Sequence, residues 1–305
     1  MLKFGLLTAI LPDEPYESVI DYMQQVGFQC AEVCCWPKGK AIRRYAGITH
    51  LDVNNLTLDE LKAKQKYASD KGITISSLGY YPNPLDANEE AALAAREHII
   101  KLIDTSADLG INMVTTFMGR DKTKNFEENL ALVQPAWEPI IKHAEDRKVK
   151  IAIENCPMYY TQDEFPGGNN IFCSPYLWEE IFKLIPSDYL GINYDPSHLV
   201  LIGADEVKPI YQFKDKIFHV HFKDISILKD KADYYGRFMY PSWWHSPRIP
   251  GMGDVNFPAL IAALNAIKYD GYAVIEVEDK SFEASINDVK KGIEQSYRYL
   301  RNYLS

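Results

Sequence analysis

Eight short apolar runs, rich in β-branched and aromatic residues, recur along the chain at intervals that are too long for β-hairpins. The intervals suit a strand, a loop and a helix in turn, which predicts parallel strands joined by right-handed helical crossovers. An eightfold count fits a closed barrel better than an open sheet. The runs occupy residues 3–8, 30–35, 73–78, 113–117, 150–155, 191–195, 218–222 and 273–277.

Segments with the helical spacing of apolar residues lie between several of these runs. They cover residues 89–109, 125–147, 174–185 and 257–267. Barrels of this kind often exceed about 250 residues as one domain. We therefore predict a single (β/α)₈ TIM barrel over residues 1–305. Four glycines stand shortly before strand candidates, where a helix end favours positive φ: Gly27, Gly72, Gly110 and Gly271.

Charge and cysteine usage exclude several classes of protein. The formal net charge is −9, without a block of like charges, so a broad basic face for nucleic acid is not expected. The first twenty residues resemble neither a signal peptide nor a membrane span, so we expect a cytoplasmic protein without a membrane partner. Five cysteines without a C-x-x-C pair argue against a disulfide framework and a structural zinc site.

The least regular segment covers residues 224–256, between the seventh and eighth strand candidates, and is rich in aromatic residues and proline. Loops that follow barrel strands lie on the C-terminal face, where barrel enzymes carry out chemistry. We interpret the segment as a long loop that covers a substrate. Its aromatic side chains, which include Tyr240, Trp243 and Trp244, either stack on a substrate ring or pack the loop against the barrel.

Polar residues follow apolar residues near the C-terminal ends of the last four strand candidates. They are Glu154, Asp195, His221 and Glu276. In a barrel these ends converge on one face, where three carboxylates would repel one another unless they share a cation. Carboxylates with one imidazole suit a divalent ion, most simply Mn²⁺, with Mg²⁺, Co²⁺ or Zn²⁺ as alternatives. Four protein ligands leave an octahedral ion two positions for adjacent sugar oxygens.

Five motifs resemble those of the xylose-isomerase-like sugar isomerase and epimerase superfamily. They are IENCPM at 153–158, NYDPSH at 193–198, HVHFKD at 219–224, RIPGMGDVNF at 248–257 and YDGYAVIEVED at 269–279. That superfamily includes ketose 3-epimerases, inosose-type dehydratases and enzymes that act on 3-keto-glycosides. The similarity follows the strand order along the whole chain.

The resemblance implies roles for individual residues. It places the metal ligands on the same four residues and makes Glu154 and Glu276 the catalytic acid/base pair. It also implies substrate contacts for His198 and for Arg248. A homodimer or homotetramer is implied by the resemblance alone.

Weaker candidates for the substrate site rest on strand position. Lys223 and His219 share strand parity with His221, so each either contacts substrate or makes a structural hydrogen bond. Glu32 on the second strand and Trp36 directly after it are further candidates for the wall of the site.

These residues favour a metal-dependent sugar isomerase or epimerase. It would abstract a proton next to a carbonyl of a ketose or 3-keto-glycoside and pass through a metal-stabilised enediolate. A lyase or dehydratase shares the first step and stays open, as does a deglycosidase subunit with a second, different subunit as partner. A trinuclear zinc endonuclease is disfavoured because CCWP, SLGYYPNP and TTFMGR lack its histidines. A non-catalytic sugar-binding protein would not need paired bases.

Overall fold

The computed structural model describes residues 2–39, 46–159 and 167–304. Within these residues, eight parallel strands close into a barrel in which each consecutive pair is hydrogen-bonded and the last pairs with the first. The barrel strands are β1 (Lys3–Leu7), β2 (Cys30–Cys34), β3 (Thr74–Gly79), β4 (Met113–Thr116), β5 (Lys150–Glu154), β6 (Leu190–Tyr194), β7 (Ile217–Phe222) and β10 (Tyr272–Ile275). All eight predicted strands are confirmed, with ends shifted by one or two residues.

Helices follow the barrel strands and cover the outside of the sheet. The predicted helices correspond to α3 (Glu89–Asp108), α4 (Phe126–Arg147), α5 (Pro175–Leu184) and α9 (Phe257–Ala266). The others described are α1 (Tyr16–Val26), α2 (Leu58–Asp70), α6 (Pro196–Ile202), α7 (Lys208–Gln212), α8 (Lys229–Tyr235) and α10 (Ile286–Arg301). No helix among the described residues has both the length and the apolar character needed to cross a bilayer.

The core lies between the strands and the surrounding helices. Trp137 of α4 and Trp178 of α5 are fully buried there, and each indole N–H donates to a backbone carbonyl, of Met118 and Phe172 respectively, at 2.9 Å. A buried indole adds a large apolar area to the core, provided that its N–H has such a partner. These two helices are therefore held against the barrel at fixed positions.

The segment after β7 is more regular than the long loop predicted from the sequence. It contains an antiparallel pair, β8 (Asp224–Ile227) and β9 (His245–Arg248), with α8 between them. Asp224 fixes the chain that follows β9. Its carboxylate accepts hydrogen bonds from the backbone N–H groups of Gly251, Gly253 and Val255 at 2.8–3.1 Å. A side chain at position 253 would lie 2.2 Å from the Asp224 carboxylate, so only glycine fits there.

The predicted positive φ angle was wrong for one of the four glycines. Gly27, Gly72 and Gly110 have positive φ, but Gly271 does not. Helix α9 ends at Ala266, and Lys268 adopts the left-handed conformation (φ 59°). Gly271 is needed for a different reason, since a Cβ there would lie 2.5 Å from the Tyr269 hydroxyl.

Asn170 connects two strand ends on the C-terminal face of the barrel. Its side-chain oxygen accepts from the backbone N–H groups of Met118 and Gly119, at 3.1 and 3.2 Å. Its amide group donates to the carbonyl oxygens of Glu154 and Cys156, at 2.9 and 2.7 Å. Asn170 is fully buried, so its side chain supplies these backbone groups with partners where the sheet has ended.

We predict that Asn170→Ala lowers the free energy of unfolding by roughly 2–4 kcal/mol, because each buried polar group left without a partner costs about 1–3 kcal/mol. Urea unfolding followed by circular dichroism measures the change. Asn302→Ala, at an exposed position after α10, is the control and should change stability by no more than about 0.5 kcal/mol. Equal effects of the two substitutions would contradict the structural role of Asn170.

Candidate metal centre and active site

The C-terminal ends of four consecutive barrel strands bring Glu154, Asp195, His221 and Glu276 together. One ligand atom from each lies within 4.8 Å of the others, and all four residues are buried. Glu154 ends β5 and His221 lies in β7, whereas Asp195 and Glu276 directly follow β6 and β10. In the ring of strands β6 and β7 stand between β5 and β10, so the two glutamates approach from different sides.

Hydrogen bonds between strand ends set the positions of Glu154 and Asp195. Asn155 donates from its amide to the Asp195 carbonyl at 2.9 Å and accepts from the Asp195 N–H at 2.8 Å. The Asp195 carboxylate also caps α6, since its Oδ1 accepts from the Ser197 backbone and hydroxyl at 2.8 and 2.7 Å. Its Oδ2 is left facing the cluster.

The side chain of Glu276 is held by an ion pair with Lys223. Its Oε1 accepts from the Lys223 ammonium at 3.0 Å, and Lys223 also pairs with Glu278 at 2.8 Å. The Oε2 of Glu276 lies 3.2 Å from His221 Nδ1. One carboxylate oxygen therefore belongs to an ion pair and the other faces the cluster.

Glu32 lies behind His221 and orients its ring. The His221 Nε2 is 2.8 Å from Glu32 Oε2, and Glu32 Oε1 accepts from the hydroxyls of Tyr81 and Thr115, the latter at 2.8 Å. An ionised carboxylate only accepts hydrogen bonds, so the proton of a neutral His221 belongs on Nε2. The Nδ1 lone pair then faces the carboxylates.

The unpartnered atoms of this cluster fit a cation. Within the described residues, Asp195 Oδ2, His221 Nδ1 and Glu276 Oε2 are buried without a hydrogen-bond partner. Buried polar atoms are seldom left unsatisfied, and these three converge with Glu154 on one point. Three carboxylates and one imidazole are suitable donors for a divalent ion.

The two glutamates differ in proton affinity. Burial raises the pKa of Glu154 to about 8, although the charge of His221 opposes the shift. Burial also acts on Glu276, but the charge of Lys223 and the contact with His221 outweigh it and lower the pKa of that carboxyl below its usual range. Paired carboxyl groups with divergent pKa values are typical of acid/base sites.

His221 shows the opposite balance. Burial disfavours the imidazolium, but the charge of Glu32 and the contacts of the ring with Glu276 and Glu32 raise the pKa of His221 well above its usual value. A positive charge at this position is therefore favoured by the surrounding carboxylates.

A cavity of about 360 Å³ opens above the cluster, and its lining includes Glu154, His198, Lys223 and Glu276. Its wall also includes Tyr240 between β8 and β9, His245 and Pro247 of β9, and Cys156 and Tyr159 after β5. The segment predicted to cover a substrate thus forms one side of the cavity. Ligand sites commonly have volumes of this order and a mixed polar and apolar wall.

The predicted substrate residues occupy different places. His198 is buried, and its Nε2 lies 3.3 Å from both Glu154 Oε1 and Asp195 Oδ2. Glu32 is buried beneath the cluster and does not line the cavity, while Lys223 does. Neither Trp36 nor Arg248 is among the described residues that line it.

Those two residues have other contacts. Trp36 packs edge-on against Tyr80, with ring centroids 4.8 Å apart. Arg248 lies in β9, with its Nε 3.5 Å from Asp279 Oδ2. Among the other candidates, Tyr240 lines the cavity, Trp244 is buried, and Trp243 is partly exposed. His219 makes hydrogen-bond contacts with Ser76 and Asn193 beneath the cluster, both at 3.1 Å.

Three residues of the site were not identified from the sequence. Tyr81 follows β3 and contacts Glu32, and Glu278 pairs with Lys223. Cys156 lines the cavity beside Glu154 and His198. Tyr81 and Cys156 lie within two residues of a barrel strand end, which is the signal that also identified the four cluster residues.

Curated proteins with similar sequences include dehydratases. The protein MJ1311 of Methanocaldococcus jannaschii is 26% identical over 305 residues, 98% of this chain and 89% of that protein. The inosose dehydratase of Geobacillus thermodenitrificans is 22% identical over 242 residues, 76% and 78% of the two chains. The match to the inosose dehydratase of Lacticaseibacillus casei spans only 37% of that protein.

Solved structures share the fold at low sequence identity. A D-psicose 3-epimerase crystallised with D-fructose superposes with a TM-score of 0.73 at 16% identity, over 99% of each chain. The 3-keto-D-glucoside 4-epimerase of E. coli gives 0.73 at 17% identity, over 99% of this chain and 100% of that one. The IOLI protein with a bound zinc atom gives 0.71 at 17%, over 99% and 96%.

A family model for the xylose isomerase-like TIM barrel matches residues 20–303, which is nearly the whole chain. The order of the eight strands agrees with this match. The chain belongs to the xylose isomerase-like TIM barrel family.

Proposed function

We propose that this protein is a divalent-metal-dependent isomerase or epimerase that moves a proton on the carbon next to a sugar carbonyl. The observation that carries the proposal is the convergence of four buried residues at the base of a cavity, three of which have a polar atom without a hydrogen-bond partner among the described residues. Epimerases and a zinc-binding protein among the similar structures support both the reaction type and the cation. A ketose or a 3-keto-glycoside is the proposed substrate class.

Glu154, Asp195, His221 and Glu276 would hold the ion, for which Mn²⁺ is our first choice. When bound, it would supply Lewis-acid polarisation of the substrate carbonyl. Glu154 and Glu276 line the same cavity from β5 and from the end of β10, so a sugar between them has a carboxyl group on each side. One accepts the proton from carbon, and the other delivers a proton to the opposite face.

Neighbouring residues keep the two glutamates in these roles. Lys223 contacts Glu276 and so keeps that side chain aimed at the cavity. His198 lies against Glu154 and, in this proposal, contacts a substrate hydroxyl. Arg248, Glu32 and Trp36 do not line the cavity, and their contacts with substrate stay predictions. The segment between β8 and β9 forms a wall that limits access of water to the reacting carbon.

A dehydratase is the second candidate, favoured by the inosose dehydratases among the relatives. Proton abstraction by a glutamate is common to both reactions, and expulsion of a hydroxyl group follows only in a lyase. Lys223, buried between Glu276 and Glu278, is a cation in the cavity next to the base. A deglycosidase would likewise begin with this step, with a second subunit as partner.

Other properties stay predictions. We propose one domain over residues 1–305, a homodimer or homotetramer, a cytoplasmic location and no nucleic-acid or membrane partner. Size-exclusion chromatography with light scattering tests the oligomeric state directly.

Incubation of the Mn²⁺-loaded protein in D₂O with ketoses and 3-keto-glycosides should place deuterium next to the carbonyl, as detected by NMR. Glu154→Gln should reduce the exchange rate by at least about 10²-fold, because general acid/base groups contribute about 10²–10⁴-fold. Glu138→Gln, at an exposed position of α4, is the matched control. A new epimer identifies an epimerase, and loss of water or aglycone identifies a lyase. Wild-type exchange in both Glu154→Gln and Glu276→Gln would refute the acid/base role.

Glu32→Gln should weaken metal binding by about 10–100-fold, because partners of a ligating imidazole contribute that much to affinity. The neutral amide of glutamine is a weaker acceptor for the His221 Nε2–H group than the carboxylate of Glu32. The imidazole would therefore be a weaker metal ligand. Isothermal titration with Mn²⁺ measures the effect, with Glu60→Gln on the exposed surface of α2 as control. Unchanged affinity would show that Glu32 does not orient the ligand.

We propose a substrate larger than one sugar ring, which the size of the cavity and its wall between β8 and β9 support. We expect kcat/KM for a 3-keto-glycoside to exceed that for a free ketohexose by at least about tenfold, since contacts with one added group supply about 1–3 kcal/mol. Steady-state kinetics with matched pairs of substrates test this. Equal values for the two classes would mean that the wall does not bind an aglycone.

A further inference from the structure

His245 stands in the cavity wall, and the proposed proton transfer does not use it. It begins β9, where its backbone pairs with Ile227 of β8. Its half-buried side chain lines the cavity that also contains Glu154 and Glu276. The imidazole therefore belongs to the wall that the segment between β7 and β10 adds to the barrel, apart from the four-residue cluster.

Two neighbours fix the orientation of the His245 ring. Its Nδ1 is in hydrogen-bond contact with the carbonyl oxygen of Pro241. The ring of Trp244 packs edge-on against it, with centroids 5.8 Å apart, and the Trp244 indole N–H in turn donates to the Met239 carbonyl at 2.8 Å. A carbonyl oxygen only accepts hydrogen bonds, so the proton belongs on Nδ1. In the neutral ring the other nitrogen, Nε2, then holds a lone pair.

The surroundings keep this ring neutral. Burial lowers the pKa of His245, and the nearby His198 and Lys223 lower it further. The contact with Pro241 and the charge of Glu278 act in the opposite direction without reversing the shift. His198, Lys223 and Glu278 all line the cavity, which places the His245 ring among the polar groups that face a bound molecule.

A neutral imidazole nitrogen with a lone pair selects the kind of group that it binds. It accepts a hydrogen bond from a hydroxyl group, whereas a carbonyl or ether oxygen offers it no proton. It differs from the carboxylates of Glu154 and Glu276, because it carries no charge that burial under a ligand would penalise. A sugar has hydroxyl groups beyond the two oxygens proposed to meet the cation. A hydroxyl group of this kind is therefore the partner that the position suits.

We propose that His245 is a specificity-determining residue whose Nε2 accepts a hydrogen bond from a substrate hydroxyl group that takes no part in the proton transfer. This role rests on the proposed function, since it takes the substrate to be a sugar, but it does not depend on which reaction follows. Pro241 and Trp244 act through His245 and are positioning residues. A ligand without that hydroxyl group would leave the lone pair covered and unpaired, which weakens binding.

Isothermal titration with methyl β-D-glucopyranoside tests the proposal, because this glycoside has no carbonyl group and binding is measured without turnover. The same titration is made with its analogues that lack the 2-, 4- or 6-hydroxyl group. We expect wild-type protein to bind one analogue at least about tenfold more weakly than the parent glycoside. In His245→Asn the amide N–H can still donate to Pro241, but no acceptor stands at the position of Nε2. This variant should bind the parent and that analogue with equal affinity.

His245→Gln is the rescue variant, because the longer side chain brings a carbonyl oxygen near the position of Nε2. It should regain part of the discrimination, which a merely structural role of His245 would not predict. His143→Gln on α4, whose histidine is not among the described residues that line the cavity, is the matched control and should behave as the wild type.

Three results would overturn the proposal: no binding of the parent glycoside to the wild type, equal wild-type affinity for the parent and all three analogues, or full discrimination in His245→Asn. Absence of deuterium exchange with every ketose and 3-keto-glycoside would instead count against the proposed reaction and would leave the binding result unchanged.

Discussion

The site depends on the burial of several carboxylates at the C-terminal mouth of a parallel barrel. Three side chains of the site have one polar atom with a protein partner and another without a hydrogen bond among the described residues. Asp195 caps a helix with Oδ1, Glu276 pairs with Lys223 through Oε1, and His221 contacts Glu32 through Nε2. The remaining atoms converge, and a shared cation would relieve the mutual repulsion of the carboxylates.

This division of atoms depends on further buried side chains around the four cluster residues. Asn155 and Asn170 are fully buried side chains whose amides satisfy backbone groups at strand ends, where the sheet no longer provides partners. Tyr81 and Thr115 do the same for Glu32. Polar groups in a low-dielectric interior strengthen one another when all are satisfied, so the network holds the cluster residues at fixed positions.

The segment between β7 and β10 adds what the barrel alone does not have. The Asp224 carboxylate accepts hydrogen bonds from the backbone N–H groups of the residues after β9. These bonds hold β8, β9 and the residues between them beside the cavity. Differences in this segment among members of one fold family would change the cavity wall without changing the proposed metal ligands. The same barrel therefore supports several reactions, since barrel enzymes vary mainly in these loops.

The sequence by itself determined the architecture and the four converging residues. Strand positions follow from apolar runs of regular spacing, and Glu154, Asp195, His221 and Glu276 are recognisable because each is polar beside a buried run. Glu32 was visible as a polar residue in β2, but its pairing with His221 was not, nor was the approach of Cys156 to His198. The ordered hairpin within residues 224–256 and the reason for Gly271 likewise emerged only from the structure. Local periodicity reports which side chains are buried, whereas contacts between residues far apart in sequence depend on barrel closure and register, which leave no local pattern.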